Sequence, residues 1–123
     1  MDINYEELVQ APEAEEALAW LREGKSAGQR TITGSDGEGW WGAEAVAVVQ
    51  KLYDLGAVRV TAVEISGRIE GARDQYTSSL VIELPGNKEK RAALSAWQGE
   101  FAKELGWDPT PDEGQDYLLI WRD

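Results

Sequence analysis

This chain of 123 residues contains no cysteine and no histidine. The first absence excludes disulfides, thiolate metal sites and cysteine nucleophiles; the second removes the commonest general base and zinc ligand. Much of the enzymatic repertoire goes with them, so a non-catalytic protein without cofactor or metal is the expectation. Basic residues are scarce as well: 12 Lys and Arg stand against 23 Asp and Glu, a net charge of −11. Such a chain repels a polyphosphate backbone, which argues against a nucleic-acid partner. No apolar run approaches the roughly 20 residues of a membrane span, and MDINYEELVQ is acidic where a secretory signal would be basic and then apolar. The expected location is cytoplasmic, with no membrane partner.

What remains is enough for one folded unit. The length suits a single domain over 1–123, and 42% hydrophobic against 28% charged residues is a globular balance rather than a disordered one. The negative charge is uneven. Residues 1–24 hold seven acids (Asp2, Glu6, Glu7, Glu13, Glu15, Glu16, Glu23) against Arg22 alone. Pro12 suits the first turn of a helix, and Ala17, Leu18 and Leu21 recur at helical spacing, so residues 12–23 are expected to form an acidic helix within an N-terminal extension, 1–27. Glu13, Glu15 and Glu16 then form either a solvated face or a docking surface for a basic partner.

Residues 28–123 read as an α+β core. The β-branched run at 31–33 is a short strand; residues 43–55 put Ala45, Val48, Val49, Leu52 and Leu55 on one helical face, with Gly56 as the stop. Strands follow at 58–65 and 76–84. Asn87 is placed to cap a helix over 88–105 whose apolar stripe is Leu94, Trp97, Phe101 and Leu105, and Gly106 ends it. The loop DPTPDEGQD leads to a last, nearly all-apolar strand at 117–121. This order, βαββαβ after the first helix, is that of the ferredoxin-like architecture, an antiparallel sheet with two helices on one face. The short 31–33 strand would then be central. Leu94, Trp97, Phe101, Val48, Val49, Leu52, Leu80, Ile82 and Leu119 are the expected core.

That topology gathers three long connections, 34–42, 66–73 and 106–116, at one end of the sheet, away from the tight turns at Gly56 and Pro85. Binding residues favour loops held by a rigid scaffold, so this end is the expected site. Its candidates are Asp36, Glu38, Trp40, Trp41, Arg68, Arg73, Trp107 and Asp112. The stretch GSDGEGWWG at 34–42 lacks the Gly-Lys-Ser/Thr ending of a phosphate loop, and its acids would repel phosphate. Asp36 and Glu38 with Asp108, Asp112, Glu113 and Asp116 could offer oxygens to calcium, but the spacing matches no EF-hand. The same acids with Arg68 and Arg73 lack any catalytic spacing. Six tryptophans are more informative, because tryptophan is enriched at binding hot spots. Trp40 and Trp41, being adjacent, cannot face the same way.

The function expected from sequence is binding of a protein partner, a basic one in view of the charge, in the manner of an inhibitor or immunity protein. The alternative is a small-molecule-binding domain or histidine-free enzyme with its pocket among the three loops. An exposed sheet edge or face could also pair with a second copy to form a homodimer.

Overall fold

A computed structural model describes residues 4–23, 30–33, 39–66 and 75–122. The fold is mixed α and β. The elements run α1 (Tyr5–Gln10), β1 (Glu15–Glu16), α2 (Ala17–Arg22), β2 (Arg30–Thr33), β3 (Gly39–Trp41), α3 (Ala43–Asp54), β4 (Arg59–Val63), β5 (Gln75–Thr77), β6 (Ser79–Glu83), α4 (Lys88–Glu104) and β7 (Tyr117–Trp121). The main sheet has the order β1-β4-β6-β7 and is antiparallel throughout. A smaller sheet has the order β3-β2-β5, with β2 antiparallel to β3 and parallel to β5.

The ferredoxin-like order expected from sequence is not the one observed. In it, residues 31–33 would lie between the last strand and strand 76–84; instead β6 pairs directly with β7 over five residues, Ser79 opposite Trp121 through Glu83 opposite Tyr117. The physical reason lies in the side chains. A central strand of the main sheet is covered on both faces, and β6 supplies Leu80, Val81 and Ile82 for that purpose, all buried. Thr-Ile-Thr brings one large apolar side chain, and it is central only in the smaller sheet. Strand 76–84 is divided at Ser78: β5 turns away to meet β2, while β6 stays in the main sheet. The bend is shared by the neighbouring strand, where Glu64 adopts φ +53°, and the Thr77 hydroxyl donates to the Val63 carbonyl oxygen across it. Beyond the bend, the Ser66–Tyr76 bridge resumes the ladder.

Of the N-terminal helix predicted over 12–23 only Ala17–Arg22 is helical (α2); Glu15 and Glu16 form β1, and a further helix, α1, lies ahead of Pro12. Pro12 ends a helix here instead of beginning one. The residue before a proline is pushed out of the helical region, and Ala11 is extended at φ −63°, ψ 148°, which stops α1 at Gln10. Glu15 and Glu16 then pair with Ala62 and Thr61 at the edge of β4. Glu16 starts α2 by accepting from the amides of Leu18 and Ala19 at 3.0 and 2.8 Å. It is not part of a solvated acidic face, because its carboxylate also accepts the Tyr53 hydroxyl at 2.7 Å.

One face of the main sheet (Val60, Ala62, Leu80, Ile82, Leu118, Ile120) packs with Ala17, Trp20 and Leu21 of α2, Ala45, Val49 and Leu52 of α3, and Leu94 and Phe101 of α4 in a single core. Of the expected core residues, Val48, Trp97 and Leu119 are only half-buried. The helix ends were legible. Asn87 caps α4 by accepting from the Lys90 amide, and Gly56 and Gly106, at φ +118° and +80°, close α3 and α4. The paired bonds Gly106 N–H to Lys103 and Trp107 N–H to Ala102 form a Schellman ending.

Residues 34–38 of GSDGEGWWG lie outside the described residues; Gly39, Trp40 and Trp41 form β3 rather than a loop. Strand alternation, not a helix start, therefore separates the two tryptophans: Trp40 turns inward and Trp41 is 53% exposed. Gly39 sits opposite Thr33, so close that a Cβ there would overlap the Ile32 carbonyl oxygen and lie 2.7 Å from the Thr33 Cα. Neither obstacle is a flexible side chain. Gly39→Ala is expected to detach β3 and to cost about 1–3 kcal/mol, limited because β3 is an edge strand that can fray locally. A variant within about 0.3 kcal/mol of the parent in urea unfolding would contradict the close approach.

Candidate functional site

The site anticipated from sequence rested on three loops sharing one end, and the connection 106–116 does not behave that way. Because β7 is antiparallel to its neighbour β6, it must begin where β6 ends. Helix α4, about 25 Å long at 1.5 Å per residue, carries the chain to the opposite end first. Residues 106–116 must therefore travel back along the whole helix. Gln98, buried on α4, holds this strap by accepting from the Thr110 amide at 3.0 Å and donating to its hydroxyl at 3.2 Å. Farther along, Arg91 donates to Asp112 at 2.7 Å, to the Gln115 carbonyl at 2.8 Å and to the Pro85 carbonyl at 3.1 Å. The connection is long because the topology demands the distance.

Asp112 is thus beside Pro85, the end from which it was expected to be remote. The hydrogen bond from Arg91 holds its carboxyl below the ordinary carboxylate range, a structural clasp rather than an approach to Trp107. Asp36, Glu38, Arg68 and Arg73 lie outside the described residues. Among the described residues no group of three or more carboxylates is gathered for a metal ion, and none of the helices described is long and apolar enough to cross a membrane.

Of the anticipated residues, Trp40 and Trp107 belong to an aromatic surface centred on the second half of α4. Trp97 and Phe101, one helical turn apart, stack at 5.7 Å with an 8° interplanar angle. Trp40 reaches over from β3 to meet both, at centroid distances of 6.2 and 5.4 Å. The Arg122 guanidinium lies 4.9 Å from the Trp40 centroid and 5.7 Å from that of Phe101, within cation–π range. On the far side, Trp107 stacks on Trp121 at 5.3 Å, and both stay exposed, 44% and 42%. Trp107 does seal the end of α4 through its amide, but its ring is left over for contact.

Two open grooves flank Phe101. The larger, about 430 Å³, runs between α3 and α4: Trp40, Trp97 and Phe101 line it with Val48, Leu55, Ala93 and Ala96, and Lys51, Glu100 and Glu104 stand on its rim. The smaller, about 270 Å³, lies between α4 and β7 and is lined by Tyr5, Leu119, Trp107 and Trp121 with the polar Gln98, Asp108 and Thr110. A third, about 190 Å³, lies on the other face of the main sheet between Val9 of α1 and Arg59, Thr61, Val81, Glu83 and Tyr117. The half-burial of Val48 and Trp97 now has a reason, since both line the larger groove.

Sequence reasoning missed Trp97 and Trp121 as surface residues. Trp97 was assigned to the core stripe of α4, although the small residues Ala93 and Ala96 beside it were a sign that this side of the helix leaves room. Trp121 was missed because YLLIW reads as buried on both faces; the burial in fact alternates, with Leu118 and Ile120 in the core.

Compared with protein-family models, with curated proteins and with solved structures, the chain shows no match. The reading of function therefore rests on the geometry alone.

Proposed function

We propose that this protein is a non-catalytic binding protein that takes an apolar, basic segment of a protein partner into the groove between α3 and α4. The observation that carries this reading is the groove itself: two tryptophans and a phenylalanine line an open channel between residues of α3 and α4. Aromatic anchors of this kind supply large contact area at little entropic cost, and helix-lined grooves accept amphipathic segments through side chains spaced by helical turns. The basic character of the partner follows from charge. The whole chain is at −11, and Glu100 and Glu104 on the rim outnumber Lys51. Glu100 has Lys103 4.0 Å away, but both are largely exposed, so that pair is weak and open to exchange.

A synthetic amphipathic helix with an apolar stripe flanked by lysines serves as the probe, and its counterpart flanked by glutamates as the control. The lysine peptide is expected to bind, to bind more weakly as salt rises, and to lose affinity about tenfold (about 1.4 kcal/mol) to the double variant Glu100→Lys, Glu104→Lys. Calorimetry gives each affinity. Equal binding of both peptides, or a salt-independent affinity, would sink the electrostatic part of the proposal. Unchanged binding to Trp97→Ala would sink the groove.

A further inference from the structure

We infer that two copies of this chain form a two-fold dimer by pairing their β7 strands antiparallel, edge to edge, about Leu119. This surface is distinct from the α3–α4 groove, and the inference does not rest on the function proposed for it. The main sheet has two edges of opposite character. At one, β1 is two residues long and both are glutamates, a short charged edge of the kind that does not invite pairing. At the other, β7 is five residues, Tyr-Leu-Leu-Ile-Trp, with no charge, proline or glycine and an unbroken register on β6. It lacks the charges and proline that commonly blunt an edge; its neighbours on that side are side chains, Tyr5 against Tyr117 at 5.7 Å and Trp107 against Trp121 at 5.3 Å.

The backbone defines the register. The Asp116 carbonyl accepts from Leu84, and the Arg122 amide donates to Ser78, so even-numbered residues of this strand direct their backbone groups toward β6. By the period of two, Tyr117, Leu119 and Trp121 direct theirs outward. Among the described residues no backbone bond reaches these three from the outer side. A two-fold axis at Leu119 sets Leu119 against its own copy and Tyr117 against Trp121 of the second copy, each pair exchanging both its bonds. Every outward group is then satisfied.

The side chains agree with this register. Tyr117, Leu119 and Trp121 share one face, and all are half-buried or exposed as they stand. Pairing places each ring opposite a ring and leucine opposite leucine, favourable cross-strand neighbours. One step outward, Asp116 of each copy falls opposite Arg122 of the other, unlike charges where two acids would repel. Beside Leu119 and Trp121 the edge opens on the cavity of about 270 Å³, whose other wall is Gln98 and Ala102 of α4 with Trp107, Asp108 and Thr110. With β1 short and charged, the opposite edge of the main sheet does not extend this pairing further.

The test is sedimentation equilibrium of the full chain over a concentration series, with Leu119→Lys and Leu119→Glu. The parent is expected to dimerise. Each variant places like charges face to face on the axis and should weaken the dimer at least about tenfold, and an equimolar mixture of the two should recover it as a heterodimer. Raised salt should strengthen the parent dimer by screening two chains of −11, the reverse of its effect on a basic partner in the groove. Amide exchange on the parent chain provides a reading that needs no variant: the Tyr117, Leu119 and Trp121 amides should gain protection with concentration. A parent monomeric at all concentrations, a dimer insensitive to both variants, a mixture no tighter than either variant alone, or exchange at these amides independent of concentration would each overturn the inference.

Discussion

Replacing Trp20 by alanine is expected to destabilise the fold by about 3–5 kcal/mol, a large part of the roughly 5–15 kcal/mol available to a domain. Trp20 is fully buried where α2 meets the core. Its indole Nε1 donates to Gln75 Oε1 at 2.8 Å, joining α2 to β5 in the smaller sheet. Its backbone carbonyl accepts from Arg30, which also pairs with Glu23 at 3.1 Å. Truncation would open a cavity the size of an indole and leave the Gln75 amide without its donor. Trp20→Phe separates these effects, since it keeps most of the volume and loses the hydrogen bond, at about 1–3 kcal/mol. Urea unfolding monitored by circular dichroism measures both. The half-exposed Trp97 serves as the comparison, and its truncation should cost clearly less than that of Trp20. If the two tryptophans cost the same, the burial described for α2 is wrong.

Glu16→Ala should cost about 2–4 kcal/mol, combining a lost helix cap with a lost charged hydrogen bond. The carboxylate receives the Leu18 and Ala19 amides and the Tyr53 hydroxyl, while the Tyr53 oxygen in turn accepts the Val60 amide at 3.0 Å. One side chain thereby ties α2, α3 and β4 together. Glu16→Gln retains the acceptor oxygen and should recover much of the loss. The pH dependence follows from the same contacts. Burial pushes the Glu16 carboxyl up, but the Tyr53 hydroxyl, the two amides and the charge of Arg59 outweigh it, and its pKa is lowered in the folded protein. A carboxyl with a depressed folded pKa contributes its stability fully above its unfolded pKa, about 4.3. The contribution fades as pH falls through the lower, folded value. The stability gap between the parent and Glu16→Gln should therefore be widest near neutral pH and close as pH falls below about 4. A gap that stays constant on acidification would show that the carboxylate charge does not matter there.

The parts of this fold that were legible in the sequence are those decided within a turn or two of chain. Asn87 caps α4 and Gly56 and Gly106 end helices because the chemistry of those ends involves neighbours three to six residues away. The buried stripe Ala45, Val49, Leu52 follows from helical spacing alone. Pro12 marks the boundary of that kind of reading: the sequence signals a helix terminus, but the next helix starts only at Ala17, behind Glu16, whose carboxylate is also held by Tyr53, 37 residues away. The split of Trp40 from Trp41 was likewise legible as a necessity, though strand alternation and not a helix start produces it.

What the sequence alone determined is composition and its consequences: an acidic chain without histidine or cysteine, with α and β segments near their observed places and more tryptophan than its core can hide. Only the tertiary structure decided which strands are neighbours, because pairing energy depends on both partners and on what covers each face. β6 and β7 pair over five residues, with Leu80, Val81 and Ile82 of β6 against Ile120, Leu119 and Leu118 of β7, and the threonine-rich β2 cannot compete for that position. That choice turned residues 106–116 from a loop at one end into a strap along α4, moved Asp112 to Arg91, and left Trp97, Trp107 and Trp121 at the surface. Side-chain exposure at those positions is a property of the packed assembly, and no local spacing encodes it.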